Sequence, residues 1–145
     1  MSRILSIDLG EKRIGIAISD PTQTLASPLK TIRFKSVKQL IDEIQALLET
    51  YRISKIVVGL PLTMKGTYSA KTKEVVKVFK KMQQHLPVEM ELYDESGTTV
   101  QAQETLRLQN KKPSKNRERI DQIAASHILQ NYLNGLEKKN IANGS

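Results

Sequence analysis

Hydrophobic residues change period several times along this chain, and each change marks an element. Apolar positions alternate with small ones from Ile4 to Asp8. Ile14, Ile16 and Ile18 repeat two apart between Arg13 and Ser19. Period two is the signature of a half-buried strand. Gly10-Glu11-Lys12 lies between the two runs and fits a tight hairpin turn. Leu25 to Ile32 is a weaker third strand, because Pro28 lacks an N–H donor and belongs on an edge. The three strands therefore predict an antiparallel meander.

The period then changes to that of a helix. Val37, Leu40, Ile41, Ile44, Leu47, Leu48 and Tyr51 share one helical face, and Ser36 is placed to cap its start. Lys55 to Gly59 is a short buried strand, stopped by Leu60-Pro61. After a polar loop turning at Gly66, a helix from about Ser69 to Leu86 points Val75, Val76, Phe79, Met82 and Leu86 inward. Its outer face carries Lys73, Lys77, Lys80 and Lys81. Val88 to Tyr93 is a further strand and leads into Asp94-Glu95. Helices are predicted from Thr98 to Gln109 and from Arg119 to Asn134. Strands alternating with helices after a meander predict an α/β fold. Its mixed five-stranded sheet is antiparallel over the first three strands, then parallel, and flanked by helices.

Composition narrows the function classes. Of 145 residues, 23 are Lys or Arg and 15 are Asp or Glu, giving a formal charge of +8 and pointing to an anionic partner. The chain is 39% hydrophobic and 26% charged, which is a globular rather than a disordered balance. No Cys is present, which excludes disulfides, thiolate metal sites and Cys nucleophiles. No apolar run reaches the roughly 20 residues of a membrane span. The opening residues lack the apolar stretch of a signal peptide. A cytoplasmic chain with no membrane association is the expectation, and a monomer and a homodimer both stay open.

Candidate chemistry gathers where strands end, because the carboxyl ends of parallel strands are where α/β sheets collect functional groups. Asp8 ends the first strand, Gly59 the fourth, and Asp94 and Glu95 the fifth. Asp121 lies three, four and seven residues before Ala124, Ala125 and Ile128, on the face that small residues would bring close to the sheet. A carboxylate there needs a cation. Arg117 one turn earlier, the helix N-terminus and a divalent metal would each serve. Carboxylates from these three places would be hard oxygen ligands suited to Mg²⁺ or Mn²⁺, the ions of phosphodiester hydrolysis. Gly10 and Gly59 would leave room for phosphate at the strand ends. Lys12, Lys111, Lys112, Lys115 and Arg117 would hold the nucleic-acid backbone, as would the lysine face of the second helix. Thr98 and Thr99 cap a helix or touch a phosphate. His127 is either a packing residue or a proton carrier. Asp8-Leu9-Gly10 with Gly15 also fits the phosphate loop of the sugar-kinase, Hsp70 and actin group. That group needs two lobes, and this length supplies one.

Taken in order, several motifs together resemble one family. They are Asp8-Leu9-Gly10, Ile14-Gly15-Ile16-Ala17, Val58-Gly59-Leu60-Pro61-Leu62, Gly66-Thr67, Asp94-Glu95, Thr98-Thr99-Val100 with Ala102, and Ile120-Asp121-Gln122-Ile123-Ala124-Ala125. The set resembles the YqgF/RuvX family of pre-16S rRNA nucleases and Holliday junction resolvases, over residues 3 to 134. The resemblance implies a ribonuclease H-like fold and a nuclease domain over residues 1 to 135, followed by a polar tail over 136 to 145. It implies Asp8, Glu95 and Asp121 as catalytic metal ligands, choosing Glu95 over Asp94. It also implies processing of the 5′ end of the 16S rRNA precursor during ribosome biogenesis. Branched DNA is the alternative substrate, and a non-catalytic RNA-binding assembly factor is the alternative role. Two positions depart from the family's pattern. Ser96 stands where an Arg usually follows the Asp-Glu pair, which removes a planar phosphate-binding fork, and Lys65 precedes Gly66.

Overall fold

A computed structural model describes residues 2–10, 12–60, 70–94 and 117–144 of the chain. Strand β1 (Arg3–Leu9) turns into β2 (Arg13–Ser19), which turns into β3 (Ala26–Arg33). Helix α1 (Val37–Thr50), strand β4 (Ile53–Leu60), helix α2 (Ala70–His85) and strand β5 (Glu89–Asp94) follow. Helix α3 (Arg117–Gly144) closes the described chain. The strands form one five-stranded sheet in the order β3-β2-β1-β4-β5. β1 pairs antiparallel with β2 and β2 with β3, whereas β1, β4 and β5 run parallel. The mixed sheet expected from the pattern is the one observed.

Local chemistry explains each element. The Ser36 side chain accepts from the Gln39 N–H at 3.1 Å and caps α1, whose stripe of Leu40, Ile41, Ile44 and Leu47 is buried. Pro28 sits on the edge strand β3. The partner register skips Leu29 between Ile16↔Lys30 and Ala17↔Pro28, a bulge at a place where proline is tolerated. The β2–β3 turn is tied by Asp20, whose carboxylate accepts from the Thr24 and Leu25 backbones and from the Thr22 hydroxyl.

The sheet has a different core on each face. Leu5, Ile7, Leu9, Ile14, Ile16, Ile56 and Val58 pack under α1 and α2. Ile4, Ala17 and Val57 pack under α3, against Ala125, Ile128, Leu129, Tyr132 and Leu133. Alternation along β1 therefore points Ile4, Ser6 and Asp8 towards α3. Beyond the sheet centre, Lys55 bonds Glu91 at 2.9 Å and lies 5.2 Å over the Tyr132 ring, which meets Tyr93 edge-on.

Helix α3 departs from its expected limits. It starts two residues earlier than read, and it continues past Asn134 to Gly144, through the segment expected to be a polar tail. The expected helix at 98–109 and the loop at Gly66 lie outside the described residues.

Candidate active site

Asp8 and Asp121 face each other because strand and helix repeat at nearly the same step. Two residues along a strand advance about 6.6 Å, and four along a helix about 6 Å. Buried Ser6 donates its hydroxyl to the Ala125 carbonyl at 2.8 Å. One step further along, Asp8 on β1 comes level with Asp121 on α3. The helix lies close at this point. A Cβ on Gly15 would overlap the carbonyl oxygen of Asp121, and fully buried Ala125 keeps the next turn equally near. Ala124 and Ala125 anticipated this close approach.

The site's electrostatics follow from that packing. Burial pushes the Asp8 carboxyl up from 3.8 to about 6, Lys71 opposes the rise, and the charge of Asp121 adds to it. The Asp121 Oδ2 accepts from Nε of Arg13 on β2 at 2.9 Å; the side chain of Arg117, the partner that helical spacing offered, is not among those described. Each acid therefore has a basic neighbour, Lys71 for Asp8 and Arg13 for Asp121.

The remaining candidates divide into two groups. Glu95, Thr98, Thr99, Lys111, Lys112 and Lys115 lie outside the described residues. Among those described, Gly10 directly follows β1, and its N–H donates to the Arg13 carbonyl at 3.0 Å. A Cβ there would overlap that same oxygen, so the hairpin itself demands glycine. Lys12 is exposed in the turn, and its carbonyl accepts from Phe34 at 2.9 Å. Gly59 is buried in β4 opposite Tyr93. Arg117 opens α3. Asp94 ends β5, so the parallel strands β1, β4 and β5 deliver Asp8, Gly59 and Asp94 to one edge. His127 neither packs nor approaches as a buried group, because its side chain is exposed.

Sequence reading missed Arg13 and Lys71. Arg13 shares the period-two face of β2 with Gly15 and Ala17, the face that α3 covers, and that register was the available signal. Asp8 and Asp121 supply only oxygen donors, and their mutual repulsion is what a divalent cation relieves, so the pair fits a hard ion. Among the described residues no third acid or His joins them.

Comparison with known proteins agrees with this architecture. A family model described as "RuvX: Holliday junction resolvase" matches residues 2–135. A relative from Sulfurihydrogenibium sp., named "Putative pre-16S rRNA nuclease", is 42% identical over 144 residues, covering 98% of this chain and 97% of its own. A Clostridium botulinum relative of the same name is 38% identical over 136 residues, covering 94% of this chain and 99% of its own. Two solved structures share the fold at low identity. The Fowlpox virus resolvase in complex with Holliday junction DNA aligns with TM-score 0.56 and 12% identity, covering 92% of this chain and 98% of that one. T. thermophilus RuvC with a Holliday junction substrate aligns with TM-score 0.51 and 13% identity, covering 88% and 92%. The ribonuclease H-like fold implied by the motifs is thereby shared with resolvases.

Proposed function

Because the chain belongs to the RuvX family of Holliday junction resolvases, we propose that it hydrolyses phosphodiester bonds in structured nucleic acid, with the 5′ end of pre-16S rRNA as its substrate in the cytoplasm. One observation carries the reading: Asp8 and Asp121 converge from β1 and α3 at the edge where the parallel strands end, inside a chain of net charge +8. Asp8, Glu95 and Asp121 would hold Mg²⁺ or Mn²⁺. Such an ion, when bound, polarises the phosphoryl group and activates water.

The chain's own residues do the rest. The Ser6–Ala125 bond and the Gly15 contact fix the separation of the two acids. Lys12, Lys111, Lys112, Lys115 and Arg117, with Thr98 and Thr99, grip the phosphates on either side. Gly10 and Gly59 leave the strand ends without side chains there. No helix among the described residues is long and apolar enough to cross a membrane.

Asp8→Asn tests the reading. The variant is expected to keep its circular dichroism spectrum and to lose Mn²⁺-dependent cleavage of precursor rRNA. Full activity in that variant would remove the acids from the mechanism. The shared fold with junction-bound resolvases supports branched DNA as a second substrate. Competition between a four-way DNA junction and precursor rRNA, scored by cleavage rate, separates the two. Salt-sensitive RNA binding with no turnover in any metal would leave the assembly-factor role, which the Ser96 departure favours.

A further inference from the structure

We propose that Arg13 is the resident counter-ion of the site: it holds Asp121 until a divalent cation takes that carboxylate, and the cation must displace it to bind. The inference rests on the reading of Asp8 and Asp121 as metal ligands.

Arg13 is anchored as a main-chain position. Its carbonyl accepts from Gly10 at 3.0 Å across the hairpin, and it stands in register with Arg33 of β3. Only its side chain is free to move. Nε donates to Asp121 Oδ2 at 2.9 Å, and the two side chains keep 29% and 25% of their surface exposed. A pair this open holds weakly, because water competes for both charges. The guanidinium can therefore swing into solvent without stranding a buried charge.

A divalent ion at Asp121 would meet the positive guanidinium at contact distance, so the two cations compete. While Arg13 is seated, Asp121 stays oriented by a bond from the sheet, and one lone-pair site on Oδ2 is filled. Loose monovalent binding is thus discouraged, and metal entry carries a threshold that the protein sets. Lys71 acts on Asp8 in the same sense from the first turn of α2.

The test measures Mn²⁺ affinity by titration calorimetry, with no substrate present. Arg13→Gln is expected to bind Mn²⁺ about fivefold more tightly than the wild type, the scale of one partly exposed ion pair. Arg13→Lys, which keeps the charge, is expected to stay close to wild type. A merely structural role for Arg13 predicts weaker binding in Arg13→Gln. Equal or weaker binding in that variant, with normal binding by the wild type, overturns the proposal and leaves the metal reading standing. Failure of the wild type to bind any divalent ion overturns both. Should Arg13→Gln not fold, the wild type still decides. The Nε–H resonance of Arg13 in ¹⁵N NMR should shift and exchange faster on saturation with Mg²⁺. An unchanged resonance at saturation overturns the proposal.

Discussion

Gly15 and Asp8 show how single positions set both the stability and the chemistry of this site. At Gly15 any Cβ overlaps the Asp121 carbonyl, and a backbone atom within a helix cannot turn aside as a flexible side chain would. Gly15→Ala should therefore lift α3 locally and cost about 1–3 kcal/mol, the usual scale of overpacking. It should lower cleavage as well, because Asp121 moves with the helix. Urea denaturation and a cleavage assay on the same preparation check both effects, and loss of neither would mean that the helix relaxes freely. Asp8 acts through its charge. Burial raises its carboxyl from 3.8 to about 6, against the pull of Lys71 and with the push of Asp121. The native state then binds the extra proton between these two values, so folding stability falls as pH rises through that window. The full cost of about 3 kcal/mol is present above pH 7. Asp8→Asn carries no such charge. In EDTA it should be more stable than the wild type at pH 8 by about that amount, and equally stable near pH 4. A stability difference that does not change with pH would show that buried charge is not the cause.

At the scale of elements, the docking of α3 across β1 and β2 positions the acids. Ala125 is fully buried under this helix, and its carbonyl accepts from Ser6 at 2.8 Å. Ala125→Leu should force helix and sheet apart, at about 1–3 kcal/mol, and separate Asp121 from Asp8. Ser6→Ala removes one hydrogen bond and should cost about 1 kcal/mol while leaving most activity. Equal activity losses in the two variants would contradict a site set by helix spacing. Much of this was legible in the sequence. Period two and the helical stripe gave β1, β2, α1 and α2 nearly to the residue, because each buries one face against a core. Pro28 announced the edge strand through its missing N–H. Asp121 was singled out because Ala124 and Ala125 on its helical face allow a close approach to the sheet. The end of α3 was not legible. Residues 136–144 lack a strong apolar stripe, so only mild propensity speaks for helix there, and Gly135 speaks against it. Arg13 was not legible as a partner of Asp121 either. An Arg at a strand start reads as a solvated end, and its contact spans 108 residues, a pairing that only the folded register creates.

For the molecule as a whole, the net charge of +8 has a direction. Helix α2 joins two parallel strands, so it must run back from the edge that carries Asp8 and Gly59. Lys71 at its start acts on Asp8, and Lys73, Lys77, Lys80 and Lys81 continue along its exposed face. From Lys71 to Lys81 the helix covers about 15 Å. Lys73, Lys77, Lys80 and Lys81 thus form a track on the exposed side of the helix that leads away from that edge, on the sheet face opposite α3. A nucleic acid cut at the edge could lay its flanking phosphates along this track. Binding through phosphates releases counterions, about 0.7 per contact for a single strand, and the logarithm of affinity falls with the logarithm of salt accordingly. Replacing Lys73, Lys77, Lys80 and Lys81 together by Gln should reduce the magnitude of that slope by up to about 3. These side chains touch neither acid, so the single-turnover rate at saturating RNA should stay at the wild-type value. Fluorescence anisotropy across a salt series, paired with a single-turnover assay, reads both quantities. An unchanged slope would place the phosphate grip elsewhere on the molecule. A lost rate with an unchanged slope would instead mean that these lysines act on the acids and not on the substrate.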